Sequence, residues 1–290
     1  MDTVIRSRSR TLVIGPEQPF CVIGERINPT SRKAFQAQLQ AGDLSQIEID
    51  VAEQVAGGAD ALDVNVGDPL ADEIGLMRSA VGLVQDLTDL PICIDSSIIE
   101  ALEAGLAAYD GKALVNSVTG EDERLEAILP LVARHGAAVI GLANAEDIPM
   151  EPERRLEVAR KIVSAAGDYG IPPEDILIDP LAMPVGAEPR AVTLFLETVH
   201  LIRDELGVNM TCGASNTSFG LPGRHTLGAA FLAVAQSHGL TSAIMDARNQ
   251  QTVEAVRATD FLLGRDEWGS RWIANHRAKQ ALAKQSEAAS

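Results

Sequence analysis

The sequence predicts a single α/β domain folded as a (β/α)8 barrel, and three observations lead to this prediction. From residue 20 onward, short apolar runs rich in β-branched residues alternate with longer segments of helical periodicity. This alternation is typical of a parallel sheet with crossover helices. Eight such runs occur, the number that closes a barrel, and the 290 residues match a barrel of about 250 residues with extensions.

The eight predicted strands follow one another along the chain, and each precedes a segment long enough for a helix. They are Cys21–Gly24, Ala61–Asn65, Pro91–Asp95, Ala113–Asn116, Ala138–Leu142, Ile176–Asp179, Met210–Gly213 and Ser242–Met245. Glycines mark several predicted helix ends, because glycine readily adopts the left-handed conformation that stops a helix. Gly57 and Gly58 precede the second strand, and Gly136 and Gly170 precede later ones.

The two ends of the chain differ from the repeating β/α pattern. Residues 11–20 are expected to form a short strand or hairpin under the N-terminal mouth of the barrel. We therefore predict an N-terminal extension or hairpin (1–20), a barrel (21–275) and a C-terminal tail (276–290). The tail is rich in Ala, Lys and Gln, and we expect it to fray.

Composition excludes several classes of function. The formal net charge is −17, a field that repels the phosphates of nucleic acids, so no nucleic-acid partner is expected. Aromatic residues make up only 3% of the chain, which also argues against base-stacking platforms. No apolar stretch approaches the roughly 18 residues of a membrane span, and the N-terminus lacks a signal-peptide pattern. We therefore expect a cytoplasmic protein without membrane contact.

Cysteine and histidine give no sign of a metal site. Cys21, Cys93 and Cys212 are widely spaced and lie in or beside predicted strands, as buried core cysteines in a reducing compartment do. The histidines do not show the spacing of a zinc motif. The sequence therefore predicts no metal bound by this chain alone.

Small carboxylates and amides follow or end most of the predicted strands. Because the carboxyl ends of barrel strands surround one pocket, we expect these side chains to meet there. They are Glu25 and Asn28 after strand one, Asp63 and Asn65 in strand two, Asp95, Asn116 and Asp179 at the ends of later strands, and Gly213, Ser215 and Asn216 around the seventh. Each also has a structural interpretation as a helix N-cap or Asx turn, especially Asp95 before two serines.

A pocket lined by Asp and Asn, with little Lys or His, suits a neutral heterocycle that carries several N–H groups. A pterin is one such ligand, since one carboxylate can accept from its ring N–H and exocyclic amine together. Purine-like molecules, sugars and small amides fit the same description, so the residues alone leave these ligands open.

Six motifs narrow the choice. IGERINPT, LDVNVG, CIDSS, LVNSVTGE, LIDPL and GASNTSFGLPGR, in this order, resemble the pterin-binding methyltransferase family over roughly residues 20–265. That family contains methyltetrahydrofolate:corrinoid methyltransferases and the folate module of cobalamin-dependent methionine synthase, with dihydropteroate synthase as a distant relative. The resemblance implies a TIM-type barrel like that of dihydropteroate synthase, a homodimer, and a folate at the C-terminal mouth. It also implies a cobalamin carried by a separate corrinoid protein.

The resemblance also implies roles for particular residues. Asp179 matches the acid that binds the aminopyrimidine edge, and Asp95 and Asn116 match other pterin contacts. Asn216 matches the amide near N5, the atom that carries the methyl group, so Asn216 and Asp95 are the catalytic candidates. The other expected pocket residues are Gly213, Ser215, Arg224, Glu25, Asn28, Asp63 and Asn65. Glu25 and Arg26 alternatively form a structural ion pair at the rim.

The implied reaction moves a methyl group between N5 of tetrahydrofolate and the cobalt of the corrinoid protein. N5 is a poor leaving group unless it gains a proton or a strong hydrogen bond as the C–N bond breaks. The sequence does not fix the direction of transfer. The alternatives are a dihydropteroate synthase, whose lysine after the seventh strand is absent here, and a non-catalytic folate-binding subunit.

Overall fold

The computed structural model describes residues 1–277 and contains every predicted strand. In chain order the strands are β1 Thr3–Arg6, β2 Thr11–Ile14, β3 Cys21–Ile27, β4 Ala61–Val64, β5 Ile92–Asp95, β6 Leu114–Val118, β7 Ala138–Leu142, β8 Ile176–Asp179, β9 Asn209–Met210 and β10 Ser242–Met245. The helices are α1 Lys33–Gln40, α2 Ser45–Gly57, α3 Glu73–Leu87, α4 Ile99–Ala108, α5 Asp122–His135, α6 Pro152–Asp168, α7 Ala191–Glu205, α8 Arg224–His238 and α9 Gln250–Leu262.

The eight strands from β3 to β10 form one parallel sheet that closes on itself as a barrel. Their order is β10-β3-β4-β5-β6-β7-β8-β9, so neighbours in sequence are neighbours in the sheet. The seam between β9 and β10 is joined by a parallel bridge between Gly213 and Ile244. There the Ile244 N–H donates to the Cys212 carbonyl at 2.8 Å. The predicted (β/α)8 barrel is confirmed.

Five of the eight strands differ from the predicted bounds, and the largest shifts, of three residues, are at the ends of β3 and β9. β6 continues to Val118, so Asn116 lies inside this strand rather than at its end. β3 continues through Glu25 and Arg26 to Ile27, because its register against β4 shifts between Gly24 and Ile27 and the strand resumes pairing after the irregularity. β9 is only two residues long: after Met210, the Thr211 N–H still donates to the Ile178 carbonyl of β8, and a single bridge at Gly213 then joins the chain to β10. Glu25 therefore lies within a strand rather than in the following loop.

Two apolar clusters hold the barrel together. Strand residues that face outward pack against the helices in the larger cluster, as Val22, Leu62 and Ile94 do. Alternate strand residues face the barrel axis and form a second cluster, because successive side chains of a strand point to opposite faces. This interior cluster includes Cys21, Ile23, Ala61, Cys93, Leu114, Ala138, Ile140 and Leu177.

An antiparallel hairpin of β1 and β2 closes the amino-terminal end of the barrel. Ile5 and Ile14 are fully buried and belong to the interior cluster. Asn209 of β9 donates from its side-chain amide to the Ile14 carbonyl at 2.9 Å and to Thr3 Oγ1 at 2.9 Å. The hairpin thus fills the bottom of the barrel, and the carboxyl ends of the strands remain for a ligand site.

Within residues 1–277, no helix is long and apolar enough to cross a membrane. Most of the predicted tail, residues 278–290, lies outside the described residues. The division of the chain into extension, barrel and tail stays a prediction.

Candidate functional site

The period-two alternation of the strands carries polar side chains into the mouth of the barrel. Each of four strands has an inward-facing apolar residue, and two positions later an acid or amide continues the same inward row. These pairs are Ala61 and Asp63, Cys93 and Asp95, Leu114 and Asn116, and Leu177 and Asp179. The apolar interior therefore ends in a polar layer at the carboxyl ends of the strands.

Asp63 and Asp95 are neighbouring carboxyl groups on adjacent strands within this layer. Asn116 Nδ2 donates to Asp63 Oδ1 at 3.2 Å, and Asn65 Nδ2 donates to Asp95 Oδ2 at 2.9 Å. Burial, followed by the charge of Asp95, raises the pKa of Asp63 well above its usual value. Burial also raises the pKa of Asp95, to about 6. Asp63 is buried, and Asp95 is the partly exposed carboxyl group nearer the opening.

Asp179 lies at the end of β8 and is held from the loop that follows. The Leu181 N–H donates to Asp179 Oδ1 at 2.7 Å. Burial raises the pKa of Asp179 to about 6, against the lowering effects of the Leu181 N–H, the Arg155 charge and the Gly213 N–H. Near pH 7 this carboxylate is largely ionised and ready to accept hydrogen bonds.

Glu25 occupies the opposite side of the mouth. Ser215 Oγ donates to both carboxylate oxygens of Glu25, at 3.0 and 3.2 Å, and Arg224 donates to the Ser215 carbonyl at 3.0 Å. Burial, opposed by the Ser215 hydrogen bond, raises the pKa of Glu25 to about 7. The alternative interpretation of Glu25 and Arg26 as an ion pair is not met among the described residues, where Arg26 has a buried Nε without a hydrogen-bond partner.

A cavity of about 550 Å³ opens beside Glu25. Its apolar wall contains Ala214, Leu232 and Met245, and its polar rim contains Arg26, Arg224 and Asp246. Asp95, Asn116 and Asp179 lie outside this cavity, in the central layer of the mouth. The site thus has a central acid and amide layer and a lateral cavity bounded by the ends of β3 and β10, the turn after β9 and helix α8.

Asn216 ends a short 3-10 turn, Ala214–Asn216, after β9. It is exposed, and its side chain makes no hydrogen bond with another residue among 1–277. A Cβ on Gly213 would lie 2.9 Å from Asn216 Nδ2, so a glycine at 213 allows the amide to fold back over the strand end. Arg224 is exposed as well.

The structural interpretation as Asx turns applies to part of the predicted set. Three side chains accept from the backbone N–H two residues later, which defines such a turn. They are Asn28 with Thr30, Asn65 with Gly67, and Asp179 with Leu181. Asn28 has no described contact with the other predicted site residues, whereas Asn65 also binds Asp95. Asp95 does not make this turn, and the neighbouring Ser96 Oγ accepts from the Ile98 N–H.

Sequence reasoning missed three residues of the mouth. Asp246 directly follows β10 and accepts two hydrogen bonds from the Arg248 guanidinium, at 2.9 and 2.8 Å. The rule that found the other strand-end acids would have found it too. Glu73 and Ser96 form a buried hydrogen bond, and the charge of Glu73 raises the pKa of Asp95. Glu73 opens a helix far from any strand end, so the sequence carried no comparable signal for it.

Comparison with known proteins relates this geometry to a family. The sequence model of the family described as "Pterin binding enzyme" matches residues 24–246, which contain the whole polar layer and the β9 turn. The chain belongs to the pterin-binding enzyme family. The suspected resemblance is therefore confirmed.

Within the pterin-binding enzymes, the chain is 31% identical over 252 residues to a methylcorrinoid:tetrahydrofolate methyltransferase from Eubacterium limosum, covering 84% of this chain and 92% of that protein. It is 34% identical over 241 residues to the methionine synthase of Mycobacterium leprae, covering 78% of this chain. The match spans only 20% of that longer methionine synthase.

Solved structures of pterin-binding enzymes share the fold. A dihydropteroate synthase from Yersinia pestis superposes with a TM-score of 0.70 at 16% identity, covering 90% of this chain and 99% of that one. One from Xanthomonas albilineans gives a TM-score of 0.69 at 20% identity, covering 90% and 98%. At these identities the likeness establishes the barrel and says nothing of the reaction.

Within residues 1–277, no group of three or more His, Cys, Asp or Glu side chains could hold a metal ion. The polar layer instead offers acids and amides, which fit an organic ligand with several N–H groups.

Proposed function

We propose that this chain is a methyltransferase that moves a methyl group between N5 of tetrahydrofolate and the cobalt of a separate corrinoid protein. The observation that carries the proposal is the inward-facing set of Asp95, Asn116 and Asp179 at the carboxyl ends of the strands. The 31% identity to a methylcorrinoid:tetrahydrofolate methyltransferase supports the choice of reaction.

In this proposal the pterin lies flat across the central layer. Asp179, ionised near pH 7, accepts from the ring N–H and exocyclic amine of the aminopyrimidine edge. Asn116 and Asp95 bind polar atoms elsewhere on the ring, because an amide serves both donors and acceptors. Asp63 accepts a hydrogen bond from Asn116, and Asn65 donates one to Asp95, so both orient the side chains that bind the ring.

The exposed amide of Asn216 is assigned to the reacting nitrogen. When the methyl–N5 bond breaks, its electron pair stays on N5, which takes up a proton, while the methyl group forms its new bond to reduced cobalt. A hydrogen-bonding amide beside N5 stabilises the charge that develops there. Burial raises the pKa of both Asp63 and Asp95, so this pair is assigned as a proton donor in the same layer.

The lateral cavity completes the proposed site. Ser215, Gly213, Arg224 and Glu25 line or adjoin it, and it lies beside Asn216. The p-aminobenzoyl part of a folate is of a size and polarity that this cavity accepts, with apolar residues on one wall and arginines on the rim. Asn28 holds its own loop and is the weakest member of the proposed set.

Cobalamin is assigned to the partner because the similar protein from Eubacterium limosum is a methylcorrinoid:tetrahydrofolate methyltransferase, whose name makes the methylated corrinoid a reactant. The direction of transfer depends on the metabolic context. A homodimer and a cytoplasmic location stay predictions from the resemblance.

Stopped-flow absorbance tests the proposal. Reduced cobalamin, free or on a corrinoid protein, is mixed anaerobically with the purified chain and methyltetrahydrofolate, and conversion of Co(I) to methyl-Co(III) is followed. The proposal expects conversion that depends on the protein. Folate binding without conversion would favour the non-catalytic subunit, and pteroate formation from a dihydropterin pyrophosphate and p-aminobenzoate would favour the synthase.

A further inference from the structure

Arg155, in the first turns of α6, is a charged side chain sealed inside the protein. It is 1% exposed and has the largest volume among the fully buried side chains. Among residues 1–277, no carboxylate lies within salt-bridge distance of its guanidinium. Burying an arginine without a contacting acid is costly, so its hydrogen-bond partners indicate what it does there.

Those partners are backbone carbonyls from two different loops. Arg155 Nε donates to the Pro149 carbonyl at 2.8 Å, in the loop after β7. Arg155 Nη1 donates to the carbonyls of Pro180 and Leu181 at 2.7 and 3.1 Å, directly after β8. The N–H donors of the planar guanidinium have fixed directions, and they therefore connect both loops to α6 by hydrogen bonds.

Leu181 has an unusual backbone conformation at this point. Its φ is +68°, in the left-handed region that residues with a side chain seldom adopt. In this conformation its N–H reaches Asp179 Oδ1 at 2.7 Å, while its carbonyl accepts from Arg155. A strained turn of this kind persists only where surrounding contacts hold it.

The same contacts surround Asp179 electrostatically. Two charged or titratable groups face its carboxyl: Arg155 from α6 and the Cys212 thiol from the stretch after β9. The positive charge of Arg155, with the N–H groups of Leu181 and Gly213, opposes the rise in the pKa of Asp179 that burial causes. The orientation and the charge of Asp179 thus depend on one buried guanidinium.

We propose that Arg155 is a positioning residue of the pterin site, which acts through the Pro180–Leu181 turn to hold the carboxylate of Asp179 in its ligand-accepting orientation. The inference rests on the proposed function, in which Asp179 binds the aminopyrimidine edge. Arg155 itself does not touch the ligand.

A double-mutant cycle tests whether Arg155 affects folate binding through Asp179. Arg155→Met replaces the guanidinium with a neutral side chain, Asp179→Asn removes the carboxylate charge, and calorimetric titration with tetrahydrofolate at pH 7 gives Kd for all four proteins. Each single variant should raise Kd by about 10- to 100-fold. In the Asp179→Asn background, Arg155→Met should raise it by less than about threefold, because the group through which it acts is gone.

Equal effects of Arg155→Met in both backgrounds would overturn the proposal, since they indicate a general loss of stability. Single-turnover transfer with saturating folate gives a second readout: Arg155→Met should change this rate by less than about threefold, because the turn does not contact N5. Arg155→Lys, which keeps the charge and at least one donor, should recover part of the affinity, and it carries the cycle if Arg155→Met does not fold. The proposal would also be contradicted if a folded Arg155→Lys protein recovered no folate affinity and showed the same coupling to Asp179 as Arg155→Met.

A titration without ligand separates this inference from the proposed function. The ¹³C resonance of the Asp179 carboxyl, assigned by its loss in Asp179→Asn, should titrate at higher pH in Arg155→Met than in the wild type. If the wild type binds no tetrahydrofolate but this midpoint still rises, the ligand assignment fails and the role of Arg155 stands. An unchanged midpoint in a folded variant refutes the role of Arg155.

Discussion

Asn216 is the residue for which binding and catalysis should separate most clearly. Its amide is exposed and unengaged among the described residues, so replacing it removes no internal hydrogen bond of the folded protein. Charge develops at N5 only during transfer, so the amide stabilises the transition state more than bound folate. Asn216→Ala should keep most of the folate affinity while transfer slows by about 10- to 1,000-fold, measured in single turnovers with saturating folate.

Asn144→Ala is the matched control for this prediction. Asn144 lies in the loop after β7, on the same rim, and its side chain bonds only the adjacent Ala145 carbonyl at 3.1 Å. The Asn144→Ala variant should transfer the methyl group at nearly the wild-type rate. A nearly normal rate in Asn216→Ala would remove this amide from the mechanism, and equal losses of rate and affinity would assign it to the loop structure.

At the scale of residues, the sequence indicated which side chains enter the mouth, but not how burial and neighbouring charges change their pKa values. Strand alternation was enough to bring Asp63, Asp95 and Asn116 to one layer. The raised pKa values of Asp63 and Asp95 depend on burial and on charges that face them from other elements, and neither quantity is local in sequence. The role of Arg155 was equally hidden, because a helical arginine has the same local pattern whether it is buried or exposed.

At the scale of elements, the helix α2 meets the end of β10 at a glycine. A Cβ on Gly57 would lie 2.2 Å from the Ala247 carbonyl oxygen, closer than any real contact. Gly57→Ala should therefore lower the free energy of unfolding by about 1–3 kcal/mol, measured by chemical denaturation, because backbone must move to admit the methyl group. The displaced residues adjoin Arg248, which binds Asp246 at the cavity rim.

Gly82→Ala provides the comparison. Gly82 lies inside α3, and a Cβ there would meet no atom within 4 Å. Alanine is the better helix former, so this variant should gain up to about 1 kcal/mol of stability. A stable Gly57→Ala protein would show that the α2–β10 contact yields easily.

The barrel strands were predictable because each one is an apolar, β-branched run of barrel length, and all eight runs became strands. The exceptions arise where pairing, not composition, decides. β3 extends to Ile27 through a register irregularity, and β9 stops at Met210, beyond which a single bridge at Gly213 joins the chain to β10. Hydrogen bonds to neighbouring strands determine where these strands end. The local sequence of a strand does not show which strands it will pair with.

At the scale of the whole molecule, the acids of the mouth should make the ligand-free protein less stable as pH rises. Burial raises the pKa of Asp179 to about 6, so the folded state holds its proton more tightly than the unfolded chain does. Its stabilising contribution is full below the unfolded pKa near 4 and is lost as pH rises through about 6. Asp179→Asn should therefore be more stable than wild type at pH 8, by on the order of 2–3 kcal/mol, with little difference at pH 4.

Asp246→Asn should show the opposite trend. Burial tends to raise the pKa of Asp246, but hydrogen bonds and charge from Arg248 outweigh it, and the net pKa is lowered. This acid stabilises the fold above its unfolded pKa, and the contribution is lost as pH falls through its folded pKa. The variant should therefore be destabilised at pH 8 and least different at low pH. Parallel pH profiles for the two variants, measured by urea denaturation, would contradict both assignments.

The hairpin at the foot of the barrel has a kinetic consequence. Ile5 and Ile14 fill the lower opening, and the Asn209 amide fixes them there, so a small molecule in the interior has no exit on that side within the part of the chain that the structure describes. In the proposed reaction, the folate and the corrinoid protein therefore use the same opening of the barrel. We therefore expect that spent folate is exchanged only after the corrinoid protein has dissociated.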